Sequence, residues 1–209
     1  MELNSAACAT PRFSESLRLV ILNSGEAIFK VARDRRRPFI VQTPRHAIAD
    51  VGTEFDVFAT AANTRIAVFK GAVEISPLDT AVRQDAIVFT AGQQIDIPAD
   101  RPNVRLVKPI DSSDIQRMTA WLTGYIEFGI RPLGQILAEF QRYEHVQFRS
   151  RDTEVFDLPF GGTFQTNNLD GFLRALSLQC IHVASHQESG QRIVTLARIP
   201  GKRPGTLCR

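Results

Sequence analysis

Three stretches of this 209-residue sequence carry residue types at spacings that could do chemistry. Cys180 and His182 lie two apart, so on a strand they share a face and could ligate a metal. His186 follows, but at about 3.3 Å per residue it stands roughly 13 Å from His182. Zinc usually takes four ligands, and two neighbours do not supply them. A strand face with a buried thiol is the better account of the segment. Glu54 and Asp56 also share a strand face, opposite Phe55 and Val57. Paired carboxylates serve glycoside hydrolysis or metal binding. Residues i and i+2, however, stand about 7 Å apart side by side rather than on opposite walls of a cleft. The third stretch, Arg33-Asp34-Arg35-Arg36-Arg37, could meet phosphate. It lacks a recognition helix and interleaved aromatics, which makes it a solvated hairpin loop before Pro38, with a weak contact to an acidic partner left open. No Gly-x-Ser-x-Gly, P-loop or His-Glu-x-x-His stretch occurs. The expectation is a protein that is not an enzyme, with no catalytic residue, no cofactor and no metal site.

Composition narrows the remaining classes. An apolar share of 44% with 22% charged residues is ordinary for a chain that buries a core. A net charge of +3 is too small for a dedicated nucleic-acid binder, although the pI is near 9.0. Cys8, Cys180 and Cys208 are odd in number and far apart, which argues against a complete disulfide framework. The start, Met1 to Cys8, has neither the basic nor the apolar segment of a signal peptide. No window holds the roughly 18 apolar residues of a membrane span.

The elements that would position these residues change character midway. Up to about residue 100 the chain reads as short β-branched and aromatic runs: 17–22, 27–31, 39–41, 55–58, 65–69, 73–75, 86–89 and 94–97. Turn signals at Ser24-Gly25, Pro38, Gly52, Lys70-Gly71, Pro77 and Ala91-Gly92 separate them. Strands at spacings of about 8–12 residues predict an all-β, solenoid- or sandwich-like domain over residues 1–100. A polar stretch from Pro98 to Pro109 and a short helix make a linker over 101–123. Ser113 and Gln116 match a capping box for that helix, with Ile115, Met118 and Leu122 as its apolar stripe.

Residues 124–199 read as a small α+β domain of two strand–helix–strand units. Pro132 suits a first helical turn, and Leu133, Ile136, Leu137 and Phe140 recur at helical spacing. Asn167 or Asn168 can cap a second helix carrying Leu169, Phe172, Leu173 and Leu176. A shift of about 36 residues carries the first stripe onto the second, and Phe128 onto Phe164. Strand-like runs at 146–148 and 180–183 follow the helices, a last strand spans 192–196, and 200–209 reads as a disordered tail.

Gly25 to Ala32, Arg37 to Val41, Val51 to Val57, Val68 to Ile75 and Ala91 to Gln94, in that order, resemble the FecR family of envelope regulators. Trp121-Leu122, Phe128, Pro132-Leu133, Ile136-Leu137, Phe140 to Tyr143, Gly162 to Phe164 and Leu169 to Leu176 are similar to that family's C-terminal region. The paired units also look like the small signalling domain that begins certain TonB-dependent receptors. The resemblance implies a periplasmic sensor at the inner membrane. It would bind the N-terminal signalling domain of a TonB-dependent outer-membrane receptor and pass an iron-responsive signal to an extracytoplasmic-function sigma factor. The family's cytoplasmic segment and membrane helix are absent, so the chain reads as N-terminally truncated. An edge strand is the natural docking element, because its unpaired backbone groups can receive a partner's strand. The candidate edges are Val146 with Phe148, and Ile193, Val194 and Leu196. A structural or glycan-contacting envelope module is the alternative, and it predicts exposed aromatic platforms.

Overall fold

The computed structural model describes residues 1–50, 52–78, 86–101, 105–199 and 201. The expected tail, apart from Gly201, lies outside the described residues, as does Cys208. The chain divides into two compact units, Met1–Ile115 and Gln116–Arg209.

The first unit is mostly β, built along one long strand. β1 (Glu2–Leu3) and β2 (Cys8–Phe13) run antiparallel along β3 (Arg18–Lys30). β4 (Phe39–Gln42) pairs in parallel with Arg18–Ile21, and β6 (Glu54–Ala59) pairs antiparallel with Gly25–Lys30. From this fork one wing continues through β7 (Asn63–Lys70), β10 (Gln93–Pro98) and β11 (Leu106–Pro109). The other continues through β5 (His46–Asp50), β8 (Ala72–Pro77) and β9 (Ile87–Thr90). Strand alternation turns Phe29, Phe55, Val57, Ile66 and Ile95 of the first wing inward. They meet Val20, Leu22, Val41, Ile48 and Ile75 of the second in one core.

The fork depends on Gly25. Its φ is +89°, and a Cβ there would lie 2.4 Å from Cα of Ala7, where the chain crosses between β1 and β2. The strands thus form a single curled, half-barrel sheet. This is neither the pair of stacked sheets of a sandwich, since the strands are hydrogen-bonded into one sheet, nor the stacked coils of a solenoid, since neighbouring strands are antiparallel everywhere except β3–β4. β11 joins this sheet, so the polar stretch before the helix contributes its last strand.

Helix α1 (Ser112–Thr119) has a different cap from the one its sequence suggests. Asp111 Oδ1 accepts from Asp114 N–H at 2.9 Å and from Ser113 Oγ at 2.7 Å, while Asp114 Oδ2 accepts from Asp111 N–H. The box is therefore Asp111–Asp114 rather than Ser113–Gln116. Two carboxylates make stronger acceptors for orphan N–H groups than a hydroxyl and an amide.

The second unit contains the two expected strand–helix–strand repeats. β12 (Tyr125–Pro132), α2 (Leu133–Phe140) and β13 (Val146–Arg149) form one. β14 (Pro159–Gln165), α3 (Leu169–Leu178) and β15 (Ile181–Glu188) form the next, and β16 (Gln191–Arg198) closes the unit. Pro132 sits one position before the first helical residue of α2. Asn168 caps α3, its side chain accepting from Gly171 N–H at 2.9 Å. β12 and β14 pair antiparallel with Glu127 opposite Thr163, positions that the repeat makes equivalent. The helical stripes meet where Phe140 stacks on Phe172 at 4.2 Å, with Phe164 set edge-on to both. Sheet β13–β16–β15 contributes Val146, Ile181, Val194 and Leu196 to the same core.

Candidate functional site

A strand edge is useful to a partner only where its backbone groups point outward unpaired. In the three-stranded sheet β16 is central, parallel to β13 and antiparallel to β15. Ile193, Val194 and Leu196 therefore sit on a strand paired on both sides, and all three are buried. The expectation of an edge at these residues is corrected.

Val146 and Phe148 do lie on an edge strand, β13, but it is short and partly closed. Arg192 N–H donates to His145 O, so Arg192, Val194 and Leu196 of β16 face β13. On β13 the outward positions are then Val146 and Phe148. Val146 spends its N–H on Glu144 O at 2.8 Å and receives Gln141 Nε2 on its carbonyl at 3.2 Å. Phe148 alone keeps an outward backbone pair.

The opposite edge is β15, which is twice as long. Because Ile193, Thr195 and Ala197 face β15, their partners His186, Ala184 and His182 hold the inner ladder. Ile181, Val183, Ser185 and Gln187 then present their N–H and C=O groups outward. None of these four has a polar partner on that side among the described residues. The side chains from Ala184 to Glu188 are exposed. β12 and β14 also have outer edges, but Pro132, Pro159 and a bulge between Phe128 and Arg131 interrupt them. The long, unbulged, proline-free edge of this unit is β15. Residues 180–183 show in sequence as a strand, but its polar continuation to Glu188 hides the edge. Alternation of Ile181 and Val183 with His182 and Ala184 marks the strand, but its edge position is set by pairing that sequence alone does not show.

The other residues singled out by type have ordinary duties. Cys180 is disulfide-bonded, which corrects the buried-thiol reading and removes its sulfur as a metal ligand; Cys8 is a free, exposed thiol. His186 lies 4.0 Å from Glu188 on the exposed face. Among the described residues no three His, Cys, Asp or Glu side chains gather to hold a metal. Glu54 pairs with Lys30 at 3.3 Å near solvent, while Asp56 is fully buried beside Arg65 at 3.4 Å. Arg65 also pairs with buried Glu26, which accepts from Asn4 at 2.6 Å, and lies over the Phe58 ring. Burial works against the Arg65 charge, but Asp56, Glu26 and Asp96 outweigh it and hold the guanidinium above its ordinary value. The two carboxylates thus face separate cations. Sequence reading missed Glu26 and Arg65, which are 39 residues apart and meet only through strand pairing.

Comparison with known proteins adds to this geometry. Residues 1–74 match the family described as FecR protein. This stretch is a FecR family domain. Its first residues are β1 and its last lie in β8, so it takes in the β3 fork and most of the second wing. No curated protein matches the chain. A crystal structure of a "putative anti-sigma factor" from Parabacteroides distasonis, at 1.65 Å resolution, is 24% identical with a TM-score of 0.71. The alignment covers 94% of this chain and 89% of that one. A second crystal structure from the same organism with the same description, at 2.50 Å, gives 25% identity, a TM-score of 0.70 and coverages of 92% and 87%. The likeness thus extends past the FecR domain into the second unit. Among the described residues no helix is long and apolar enough to cross a membrane.

Proposed function

We propose that this chain is the periplasmic, signal-receiving part of a FecR-type sigma-factor regulator. In this reading its second unit docks the N-terminal signalling domain of a TonB-dependent outer-membrane receptor by strand addition at β15. The FecR domain then acts as the lever between that partner and an extracytoplasmic-function sigma factor, in iron-responsive regulation. The observation that carries the reading is the row of outward backbone groups of Ile181, Val183, Ser185 and Gln187, unpaired among the described residues, on a unit that follows a FecR domain. Strand addition draws affinity from main-chain bonds and selectivity from alternate side chains. Phe148 on β13 offers a shorter second contact.

The test is a titration of the isotope-labelled chain with receptor signalling domains, followed by NMR. Saturable binding that protects the amides of Val183, Ser185 and Gln187 from exchange supports the proposal. Absence of binding to every receptor domain, with retention on peptidoglycan instead, would overturn it in favour of a glycan-contacting module.

A further inference from the structure

The loop between β3 and β4 builds a pocket that the docking edge does not use. A cavity of about 180 Å³ is lined by Arg18, Arg33, Asp34, Arg35, Pro38, Asp50 and Gly52. Its two carboxylates are already engaged. Asp34 accepts from Arg37 Nε at 2.9 Å and from the N–H groups of Arg36 and Arg37, and these bonds, the Arg37 side chain first, hold it below the ordinary carboxylate range. Asp50 Oδ2 accepts from Gly52 N–H at 2.9 Å.

The cations are disposed differently. Arg18 is fixed at the wall, donating from Nε to Arg37 O at 3.0 Å and from Nη1 to Ala32 O at 3.1 Å, with its guanidinium 5.5 Å from the Phe39 ring. A guanidinium has five N–H donors, so Arg18 keeps donors to spare. Arg33 and Arg35 are exposed, and among the described residues neither has an ion-pair or hydrogen-bond partner. The stem of Arg33 is seated against Gly52, where an added Cβ would meet Arg33 Cβ at 3.1 Å. The Asp34 turn therefore ties down the backbone and leaves Arg33 and Arg35 lining one concavity with Arg18.

We infer that this pocket in the FecR domain binds a phosphate group, held by Arg33 and Arg35 against the fixed guanidinium of Arg18. Planar guanidinium forks match phosphate oxygens in geometry as well as charge. A free phosphate and the headgroup of an anionic lipid share this chemistry. Inorganic phosphate and phosphatidylglycerol vesicles, with chloride and phosphatidylcholine vesicles as references, separate the two sources.

The full chain is titrated with each at low ionic strength, where exposed charges are least screened. Phosphate is expected to shift the amide and guanidinium signals of Arg18 and residues 33–37. The double variant R33Q/R35Q is expected to weaken binding at least tenfold, and R12Q, which removes an exposed charge on β2, to leave it unchanged. Vesicle binding that depends on Arg33 and Arg35 identifies a headgroup, and phosphate binding without it identifies a free anion. Binding no stronger than chloride in every arm overturns the inference. So does an equal loss in R12Q, which would mean summed charge rather than a pocket. The variants must melt with the parent. If the double variant melts early, R35Q alone decides, because only Arg33 is seated against Gly52.

Discussion

At the scale of single residues, His46 links this fold to pH. It opens β5 and is buried, with its N–H on Thr43 Oγ1 at 3.0 Å and its carbonyl receiving Thr43 N–H at 2.8 Å. Burial first, then the charges of Arg105 and Arg45, push the imidazole below its ordinary value of 6.5. In the unfolded chain the ring takes its proton near that ordinary value, so the unfolded state binds more protons just below it. Stability is therefore full above about pH 6.5 and is lost as pH falls through the native value. The melting temperature, followed by far-UV circular dichroism, should drop between pH 7.5 and 5.5, and His46→Gln should flatten that drop. An unchanged pH profile in the variant would assign the effect to other groups. A second residue acts locally: Asn168→Ala removes the side-chain acceptor for Gly171 N–H and should cost about 1 kcal/mol. Urea unfolding of the variant measures that loss.

At the scale of elements, β15 and β16 should respond differently to proline. Ser185 points its N–H outward, so Ser185→Pro leaves the β15–β16 ladder intact and should barely change the melting temperature. Ala184 pairs with Thr195 on the inner side, so Ala184→Pro removes ladder bonds and should destabilise the unit. Receptor-domain binding should be lost in Ser185→Pro although the fold survives, and undiminished binding would exclude strand addition at this edge. The same elements show what the sequence makes legible. The stripes Leu133–Phe140 and Leu169–Leu176 declare their helices by period, because each helix must bury one face. Strand order is not declared that way, since neighbours in a sheet are set by contacts far apart in the chain. Ile193 and Val194 nevertheless carried a hint. Two successive buried side chains fall on opposite faces, as on a strand covered on both sides, which favours a central place over an edge. The Asp111 cap and the Glu26–Arg65 pair are hidden in the sequence for different reasons. The first stands two residues ahead of a better-known motif, and the second is invisible without the register.

At the scale of the whole molecule, each unit closes its own core. The cluster containing Phe29 and Phe55 shares no residue with the one around Phe140 and Phe172. A chain built this way should transmit damage poorly from one core to the other, since core mutations act through packed neighbours. Composition supplies the means to observe it. Trp121, Tyr125 and Tyr143 are the only Trp and Tyr residues of the sequence, and all three belong to the second unit. Intrinsic fluorescence thus reports on Gln116–Arg209 alone, whereas far-UV circular dichroism also reports on the strands of the first unit. Phe140→Ala empties a position stacked on Phe172 and should cost about 3–5 kcal/mol locally. In a urea titration it should shift the fluorescence midpoint downward and split the dichroism curve, leaving the strand-rich component at its original midpoint. Phe55→Ala, which removes a fully buried ring from the FecR domain, should do the reverse, lowering the dichroism midpoint while fluorescence stays. If both probes move together in both variants, the two cores unfold as one cooperative body. A lever that passes strain between separately folded partners would then have to give way to a single rigid signalling unit.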